Sequence, residues 1–290
     1  MELVDQNILN VAGYRFFKLS NPQEVRESLK TFSRELGVKG TVLLGPEGVN
    51  LMIAGTPEQI KIFQKHLHEE LKFPLFEYKK SWSNRQPFSR MLVKVKPEIV
   101  TTGHEDINPA DFTGSYLSPK ELKKWLDEER DIVFLDTRND YEVHLGKFSK
   151  AQDLEVKSFR DFLSKVGSFP EAIKKKPVVT YCTGGIRCEK ATAIMLKKQG
   201  FEEVYQLEGG ILKYFEDCGK EHWQGECFVF DRRVGVDPSL KETETLQCYA
   251  CRSPIVKEDQ KSEYYVPEKS CPYCKRMKKS DLVEDSIVQN

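Results

Sequence analysis

The fold is decided at Val178-Val-Thr-Tyr-Cys-Thr-Gly-Gly-Ile-Arg-Cys-Glu-Lys-Ala191, where an apolar, β-branched run enters a turn that begins with a cysteine. Residues 178–181 are predicted to form a short buried strand, and a helical pattern runs from Cys188 to Leu196. The turn between them is made of Thr183, Gly184, Gly185, Ile186 and Arg187. The pattern therefore predicts a strand, a tight turn and a helix that begins beside Cys182.

This arrangement gives Cys182 the surroundings of a reactive thiol. Its sulfur would face the backbone N–H groups of the turn, the N-terminus of the helix and the side chain of Arg187. All three stabilise a thiolate and lower the pKa of the thiol. The alternative is a buried, inert cysteine, but two glycines and an arginine after a strand have little use in packing alone. We therefore expect Cys182 and Arg187 to carry the chemistry.

Composition indicates a soluble, globular protein. Hydrophobic residues make up 39% of the 290 positions, and no apolar run approaches the roughly 18 residues of a membrane helix. The first residues lack the basic and apolar regions of a signal peptide, so a cytoplasmic protein is expected. In that reducing compartment the eight cysteines, all at or after position 182, favour catalysis or metal binding over disulfides.

The formal charge is balanced, with 45 basic against 45 acidic residues, but one segment is strongly basic. Residues 72–96 contain seven basic side chains against one acid, interleaved with aromatic residues, which is typical of RNA-binding surfaces. The alternative is a solvated edge strand whose lysines keep it soluble. Under the RNA-binding interpretation, the contacts come from Lys79, Lys80, Arg85 and Arg90.

Residues 1–100 carry the element order βαββαβ, which predicts a ferredoxin-like (split βαβ), acylphosphatase-like domain with two helices on one face of an antiparallel sheet. Asn21-Pro22 and Thr56-Pro57 provide the helix starts, and Gly37 ends the first helix. The other face of the sheet is left free. Residues 101–117, in which Pro, Gly, Asn and Asp recur without a period, are expected to be a linker.

Strands and helices alternate over residues 118–220, which predicts a parallel sheet covered on both faces. Reactive groups in such sheets collect at the carboxyl ends of the strands. Asp136 follows the predicted strand 132–135, just as Cys182 follows its own strand. Asp136 and Arg138 are expected to form an ion pair that braces the cysteine turn.

Residues 221–290 combine a strand, predicted over 225–234, with a group of cysteines. Four of them form two Cys-x2-Cys pairs with 19 residues between the pairs, namely Cys248, Cys251, Cys271 and Cys274. This is the spacing of a zinc ribbon, in which two knuckles hold one structural zinc ion. The alternatives are four free thiols, or loss of the metal with disulfide formation on exposure to air. A second basic patch, which would contact RNA or remain a solvated tail, follows at Lys275, Arg276, Lys278 and Lys279.

The second domain resembles the rhodanese domains. The resemblance is carried by Leu135-Asp-Thr-Arg138 with Tyr141-Glu142, by the loop Tyr181-Cys-x-x-Gly-x-Arg187 and by Leu207-Glu-Gly-Gly-Ile211. The six-residue loop from Cys182 to Arg187 is similar to that of sulfur-handling rhodaneses, whereas the related phosphatases use one residue more to fit a phosphate. Cys188 departs from the pattern, since serine is commoner there. It is either a thiol that resolves an oxidised Cys182 or a packed helix residue.

Over nearly its whole length the chain is similar to the oxygen-dependent tRNA uridine(34) hydroxylases, rhodanese-domain proteins that convert wobble uridine to 5-hydroxyuridine. The shared motifs include Gly45-Pro-Glu-Gly-Val-Asn50, Cys182-Thr-Gly-Gly-Ile-Arg-Cys-Glu-Lys-Ala191 and Phe228-Val-Phe-Asp-Arg-Arg-Val234. The resemblance implies tRNA as the substrate, molecular oxygen as the co-substrate and Cys182 as the essential residue. The sequence shows no flavin or NAD motif.

These residues and the resemblance point to two main functions. The first is hydroxylation in which Cys182 or its persulfide adds to C6 of uridine and makes C5 electron-rich toward an oxygen donor, while Arg187 and the loop amides hold the anion. The second is a rhodanese-type sulfurtransferase that carries a persulfide on Cys182. A persulfide-binding module without catalysis is a third alternative.

Overall fold

The structure is a computed structural model that describes residues 7–274. The second basic patch at 275–279 lies outside the described residues. Within the described range, no helix is long and apolar enough to cross a membrane. The chain folds into two α/β domains followed by a cysteine-containing segment, as the sequence predicts.

The first domain is a five-stranded sheet with two helices. Its elements are β1 (Ile8–Phe16), α1 (Pro22–Leu36), β2 (Lys39–Gly45), β3 (Gly48–Gly55), α2 (Pro57–Lys65), β4 (Lys79–Ser83) and β5 (Met91–Val95). Both predicted helix starts are present, since Pro22 and Pro57 occupy first-turn positions, and Thr56 caps α2 by accepting a hydrogen bond from the Gln59 backbone. Gly37 ends α1 in the left-handed conformation, with φ of 81°.

The strand order of this sheet is β4-β1-β3-β2-β5. The first four strands form the antiparallel arrangement expected of a split βαβ sandwich. The fifth departs from the expected antiparallel pattern, because β5 pairs in parallel with β2. Periodicity shows that Met91–Val95 is a strand but carries no information about which edge it joins, so the direction of β5 was not predictable from the pattern.

The second domain contains a four-stranded parallel sheet with the order β6-β10-β9-β7. Its elements are β6 (Ser115–Leu117), α3 (Pro119–Asp127), β7 (Val133–Asp136), α4 (Asp140–Leu145), β8 (Gly146–Phe148), α5 (Phe159–Gly167), α6 (Glu171–Lys174), β9 (Val178–Tyr181), α7 (Ile186–Lys198), β10 (Val204–Leu207) and α8 (Gly210–Cys218). Apolar residues of α3 and α8 pack on one face of the sheet, and those of α5 and α7 on the other. Both faces are therefore covered, as alternation of strands and helices predicts.

Two expectations about element boundaries need correction. The segment 101–117, expected to be a linker, ends in β6, which pairs with β10 and so belongs to the second sheet. The helix after the cysteine turn begins at Ile186 rather than at Cys188, because Gly185, with φ of 100°, serves as its N-cap. Arg187 therefore lies in the first turn of α7 and not in the preceding loop.

The strand predicted over 225–234 is instead a set of short pieces. They are β11 (Trp223–Gly225), β12 (Cys227–Phe228) and β13 (Gly235–Val236), and a further pair, β14 (Leu246–Gln247) and β15 (Pro254–Ile255), precedes the last cysteines. Between β12 and β13 the chain turns back, with Val229 N–H donating to the Val234 carbonyl. Asp231 holds this turn by accepting hydrogen bonds from the backbone and guanidinium of Arg233. Apolar residues stand on both sides of this charged turn, which is why the sequence pattern predicts a single strand.

The helix-free face of the first sheet, which the sequence left without a partner, is covered by the second domain. Lys190 of α7 has no exposed side-chain surface and lies 2.7 Å from carboxylate oxygens of both Glu47 and Glu98. On β1, the Tyr14 hydroxyl donates to Glu189 of α7 over 2.9 Å. The turn Gly45-Pro-Glu-Gly48 thus anchors α7, and with it the cysteine loop, to the first domain.

Candidate active site

Cys182 lies at the carboxyl end of β9, at the point where two helices begin. The Gly185 N–H donates to its sulfur over 3.1 Å, and the thiol is 1% exposed. Its own carbonyl accepts a hydrogen bond from the Ile211 N–H in the first turn of α8, over 3.0 Å. The N-termini of α7 and α8 therefore both meet the loop, and their dipoles favour negative charge there.

Glycine is required at two positions around this loop. Gly185 has φ of 100°, and a Cβ added to it would lie 2.9 Å from the Tyr14 hydroxyl oxygen. Gly210 has φ of 68°, and a Cβ there would lie 2.5 Å from the Cys182 carbonyl oxygen. The backbone of Gly210 can support the loop only because it carries no side chain.

The surroundings of Cys182 favour its thiolate. Burial acts in the opposite direction, but a hydrogen bond from the Cys188 thiol, the positive charge of Arg187 and the N–H groups of Arg187 and Gly185 together lower the pKa of Cys182 well below its usual range. Burial and the adjoining Cys182 thiolate raise the pKa of Cys188. Of the two thiols, Cys182 is therefore the one whose thiolate is favoured, and Cys188 the one whose thiolate is disfavoured.

Cys188 is both packed and close to Cys182. It is fully buried in α7, and its sulfur lies 3.7 Å from the Thr137 hydroxyl at the end of β7. Both alternatives for Cys188 are compatible with this position, since a packed thiol that donates to Cys182 is also placed to react with it.

Arg187 does not present a free guanidinium to the thiolate. Its two terminal nitrogens donate to the two carboxylate oxygens of Glu142 over 2.6 and 2.7 Å, and both side chains are at least nine-tenths buried. Glu142 comes from α4, where it also accepts from the Asn139 N–H as part of a capping box. Motif matching placed Tyr141-Glu142 beside the rhodanese motif without assigning it a role. Its pairing with Arg187 depends on the tertiary fold.

Asp136 and Arg138 form the expected ion pair. Arg138 donates to both Asp136 oxygens, over 2.6 to 3.1 Å, and neither side chain has exposed surface. Arg138 also donates to the Gly146 carbonyl over 2.7 Å, which ties β7 to β8. The Thr137 hydroxyl between them donates to the Tyr181 carbonyl. These hydrogen bonds hold the carboxyl ends of β7 and β9 in place, and the cysteine loop follows directly after β9.

The first domain contributes side chains that were not predicted to belong to the site. Tyr14 hydrogen bonds to Glu189, a buried carboxylate that also accepts from Tyr116 and Gln206. Lys79, predicted as an RNA contact, is 9% exposed and lies with its Nζ 5.5 Å from the centre of the Tyr14 ring. Sequence reasoning missed these residues because no local pattern shows which face of one domain docks on another.

The other three predicted RNA contacts stay on the surface. Lys80, Arg85 and Arg90 are exposed, and Arg85 forms an ion pair with Glu242 over 2.8 Å. Lys79 and Lys80 are adjacent on β4 and therefore project to opposite faces of the sheet. The basic patch thus divides into one buried lysine beside the cysteine loop and three solvent-facing cations.

The four paired cysteines converge as their spacing predicts. Their sulfur atoms all lie within 4.8 Å of one another, with 3.5 Å between Cys248 and Cys274 and 3.5 Å between Cys251 and Cys271. A tetrahedral ion with metal–sulfur bonds of about 2.3 Å separates its sulfur ligands by about 3.8 Å. The cluster therefore has the dimensions and donor set for a metal ion such as zinc.

The remaining two cysteines belong to neither the loop nor the four-cysteine cluster, although the Cys227 side chain hydrogen bonds with Thr183 of the loop. Cys227 is buried on β12, and burial raises its pKa to about 12. Cys218 is half-buried at the end of α8, and burial raises its pKa as well. Burial thus disfavours the thiolate of both.

Comparison with known proteins matches both domains. Residues 8–99 match the UPF0176 acylphosphatase like domain, and residues 118–217 match the rhodanese-like domain. The tRNA uridine(34) hydroxylase of Cupriavidus taiwanensis is 44% identical over 272 residues, which cover 92% of this chain and 96% of that protein. The tRNA uridine(34) hydroxylase of Burkholderia cenocepacia (strain HI2424) is 45% identical over 276 residues, covering 92% and 97%.

Fold and site together define a rhodanese-type protein in which an acylphosphatase-like domain is docked on the helix that follows the loop cysteine. The relatives extend this likeness over nearly the full length of both partners. The chain belongs to the tRNA uridine(34) hydroxylase family.

Proposed function

We propose that this protein hydroxylates C5 of uridine 34 in tRNA, with Cys182 as the nucleophile and molecular oxygen as the co-substrate. The observation that carries the proposal is the buried Cys182, whose pKa is lowered in a loop that meets two helix N-termini. Thr183, Gly184 and Gly185 form the loop, and Ile186 begins the helix that follows it. Arg187 supports the charge, and Asp136 and Arg138 brace the strand ends. The domain at 118–220 carries the thiol, the domain at 1–100 holds the tRNA, and the substrate assigns the protein to the cytoplasm.

The chemistry begins with addition of the thiolate to C6. The new S–C6 bond forms as the C5–C6 π electrons move through C4 to O4, which gives an enolate that is nucleophilic at C5. C5 then takes an oxygen atom from a peroxide-level donor, whose O–O bond breaks and whose second oxygen leaves as water. The donor is formed from dioxygen by two thiols, which become a disulfide, or by another two-electron reductant. Loss of the C5 proton and departure of the thiolate restore the double bond. Uridine, dioxygen, two electrons and two protons give 5-hydroxyuridine and water.

The burial of Cys182 determines how a base would reach it. A thiol that is 1% exposed cannot attack a base inside a stacked anticodon, so uridine 34 has to leave its neighbours and enter the protein. Phe230 lies over Arg187, with 5.9 Å from the ring centre to the guanidinium carbon, and is 41% exposed. An exposed aromatic ring beside the site offers a surface on which an extruded base can stack.

Lys80, Arg85 and Arg90 supply the docking surface for the tRNA backbone in this proposal. All three are exposed on the domain that also contributes Tyr14 and Lys79 to the site. Contacts from such cations to phosphates add affinity that falls with salt concentration.

The four-cysteine cluster holds a structural zinc ion in this proposal, and the buried core around it is small, with Ile255 as its buried residue besides Cys248 and Cys271. Tyr273, between two of the cysteines, lies 2.7 Å from the His144 ring nitrogen on α4, the helix that carries Glu142. The zinc ribbon therefore supports the outer side of the site and takes no part in the reaction.

The deciding experiment measures modified nucleosides in tRNA by mass spectrometry, in a strain that lacks the gene and expresses either the natural protein or Cys182→Ala. The natural protein is expected to restore 5-hydroxyuridine and its derivatives, and Cys182→Ala is expected to restore none. Cys218→Ala, a cysteine outside the site, is the matched control and should restore the product. Undiminished product from Cys182→Ala would refute the role of the thiol. Loss of a thiolated nucleoside from the deletion strain would favour the sulfurtransferase.

A further inference from the structure

Lys79 is a buried cation for which no carboxylate partner is present among the described residues. Its side chain is 9% exposed, and neither an ion pair nor a hydrogen bond of its Nζ is found in the part of the chain that the structure describes. Other buried cations of the site are paired, as Arg187 is with Glu142 and Lys190 with Glu47. An unpaired buried ammonium is costly, which is why such groups tend to be kept for a ligand.

The position of Lys79 brings it to the cysteine loop from the opposite domain. It pairs in register with Ala12 on β1 and projects from the helix-free face of the sheet. Its Cε lies 3.4 Å from the point that a Cβ of Gly209 would occupy. Gly210, the next residue, packs against the Cys182 carbonyl, and the Tyr14 ring beside Lys79 ends in a hydroxyl that lies against Gly185.

The electrostatic surroundings agree with this position. Burial lowers the pKa of Lys79, while the charges of Glu77, Cys182, Glu216 and Glu189 act in the opposite direction. The thiolate of Cys182 is thus among the groups whose field reaches the ammonium. The two belong to one site built from both domains.

We infer that Lys79 is a catalytic residue that binds O4 of the target uracil and stabilises the negative charge that reaches O4 when Cys182 adds to C6. This inference deepens the proposed function and rests on it. In the addition step the electron pair of the C5–C6 bond moves to O4, so the charge develops on the far side of the ring from the sulfur. A cation opposite the nucleophile stabilises this state more than the neutral base, which is the condition for a rate effect.

The alternative is that Lys79 contacts a backbone phosphate of the tRNA, but the position of Lys79 argues against this. A backbone phosphate carries its charge outside the base and meets exposed side chains, as Lys80, Arg85 and Arg90 are. Lys79 is instead enclosed between the Tyr14 ring and Gly209, on the face of the sheet that meets the second domain.

The test compares the full-length natural protein with Lys79→Met, Lys79→Arg and Lys30→Met, an exposed lysine on α1. Single-turnover formation of 5-hydroxyuridine is measured at saturating tRNA and at pH 8, well above the lowered pKa of Cys182 in the natural protein. Lys79→Met is expected to slow the step about 100-fold with the Kd for tRNA unchanged, Lys79→Arg to restore part of the rate, and Lys30→Met to match the natural protein. Alkylation of Cys182 at pH 8 should be equal in all four.

Two results would overturn the inference. One is an unchanged single-turnover rate for Lys79→Met. The other is a defect confined to tRNA affinity, in which the slope of log Kd against log salt falls by about one, as expected for the loss of one phosphate contact. Thermal unfolding distinguishes a folding defect from a catalytic one, because removing an unpaired buried charge should not lower the Tm. The proposed function is tested by a different variant: it fails if Cys182→Ala still forms the product.

Discussion

Glu142 pairs with both terminal nitrogens of Arg187, at 2.6 and 2.7 Å, so the cation nearest to the reactive loop is already half of an ion pair. The thiolate of Cys182 is consequently stabilised by a guanidinium whose charge is shared with a carboxylate. Backbone N–H groups and the Cys188 thiol provide the remaining stabilisation. This explains how a fully buried thiol can keep a lowered pKa although the guanidinium of Arg187 is already paired with a carboxylate.

Removing either partner should move the pKa of Cys182, in opposite directions. Arg187→Met removes the positive charge, so the pH profile for alkylation of Cys182 by iodoacetamide is expected to move up by about one pH unit or more. Glu142→Gln leaves the guanidinium charged but unshared, so the profile should move down. A shift of both profiles in the same direction would show that the pair acts on the loop through structure and not through charge.

Gly210→Ala should damage the loop without touching the thiol. The new Cβ would lie 2.5 and 2.7 Å from the carbonyl oxygens of Cys182 and Thr183, at a backbone φ of 68°. A cost of about 1–3 kcal/mol from the backbone conformation alone is expected, together with slower alkylation of Cys182. Gly184→Ala is the stability control, since a Cβ there meets no atom within 4 Å. Equal Tm values for the two variants would contradict the assigned role of Gly210.

The buried triad at the domain interface predicts a large and pH-dependent loss of stability. Lys190→Met leaves Glu47 and Glu98 without their cation, at a cost of about 3–5 kcal/mol. Burial opposes ionisation, but hydrogen bonds from Lys190 and Thr102 lower the pKa of Glu98 to about 2. A lowered carboxyl pKa stabilises the fold above the unfolded value near about 4.3, and this contribution is lost as the pH falls toward the folded value.

The difference in Tm between the natural protein and Lys190→Met should accordingly be large at pH 7 and shrink below about pH 4. Lys198→Met is the matched control on the same helix, because Lys198 forms an exposed ion pair with Asp106 and such pairs contribute about 1 kcal/mol or less. A pH-independent difference for Lys190→Met would mean that packing, and not charge, is what Lys190 provides.

The sequence predicts most of the local structure of this protein but little of how its elements and domains pack together. The strand 178–181, the starts of α1 and α2 and the four-cysteine convergence follow from periodicity, capping and spacing, which are properties of neighbouring residues. The pairing of Glu142 with Arg187 and the arrival of Tyr14 at Glu189 join residues 45 and 175 positions apart. No periodic pattern contains such contacts, so the composite nature of the site became visible only in three dimensions.

The basic patch has a quantitative prediction of its own. Charge reversal at Lys80, Arg85 and Arg90 should weaken tRNA binding and reduce the slope of log Kd against log salt by about two to three. Arg85 is expected to contribute least, because Glu242 already pairs with it. Filter binding at several salt concentrations provides the measurement, with Lys30→Glu as a control for overall charge. An unchanged slope would exclude this surface as the docking site and support the solvated edge strand.

Metal content tests the four-cysteine cluster directly. Freshly purified protein is expected to contain about one zinc ion per chain, and Cys271→Ser should abolish it, because its buried sulfur lies within ligand distance of the other three. Loss of the ion should lower the Tm and expose residues 246–274 to proteolysis, since a small segment of this kind gains its folding energy from the metal. Cys218→Ser, a half-buried cysteine on α8, should keep the full zinc content. A zinc content near zero in the natural protein, with intact thiols by titration, would show that the four sulfur atoms converge without a metal.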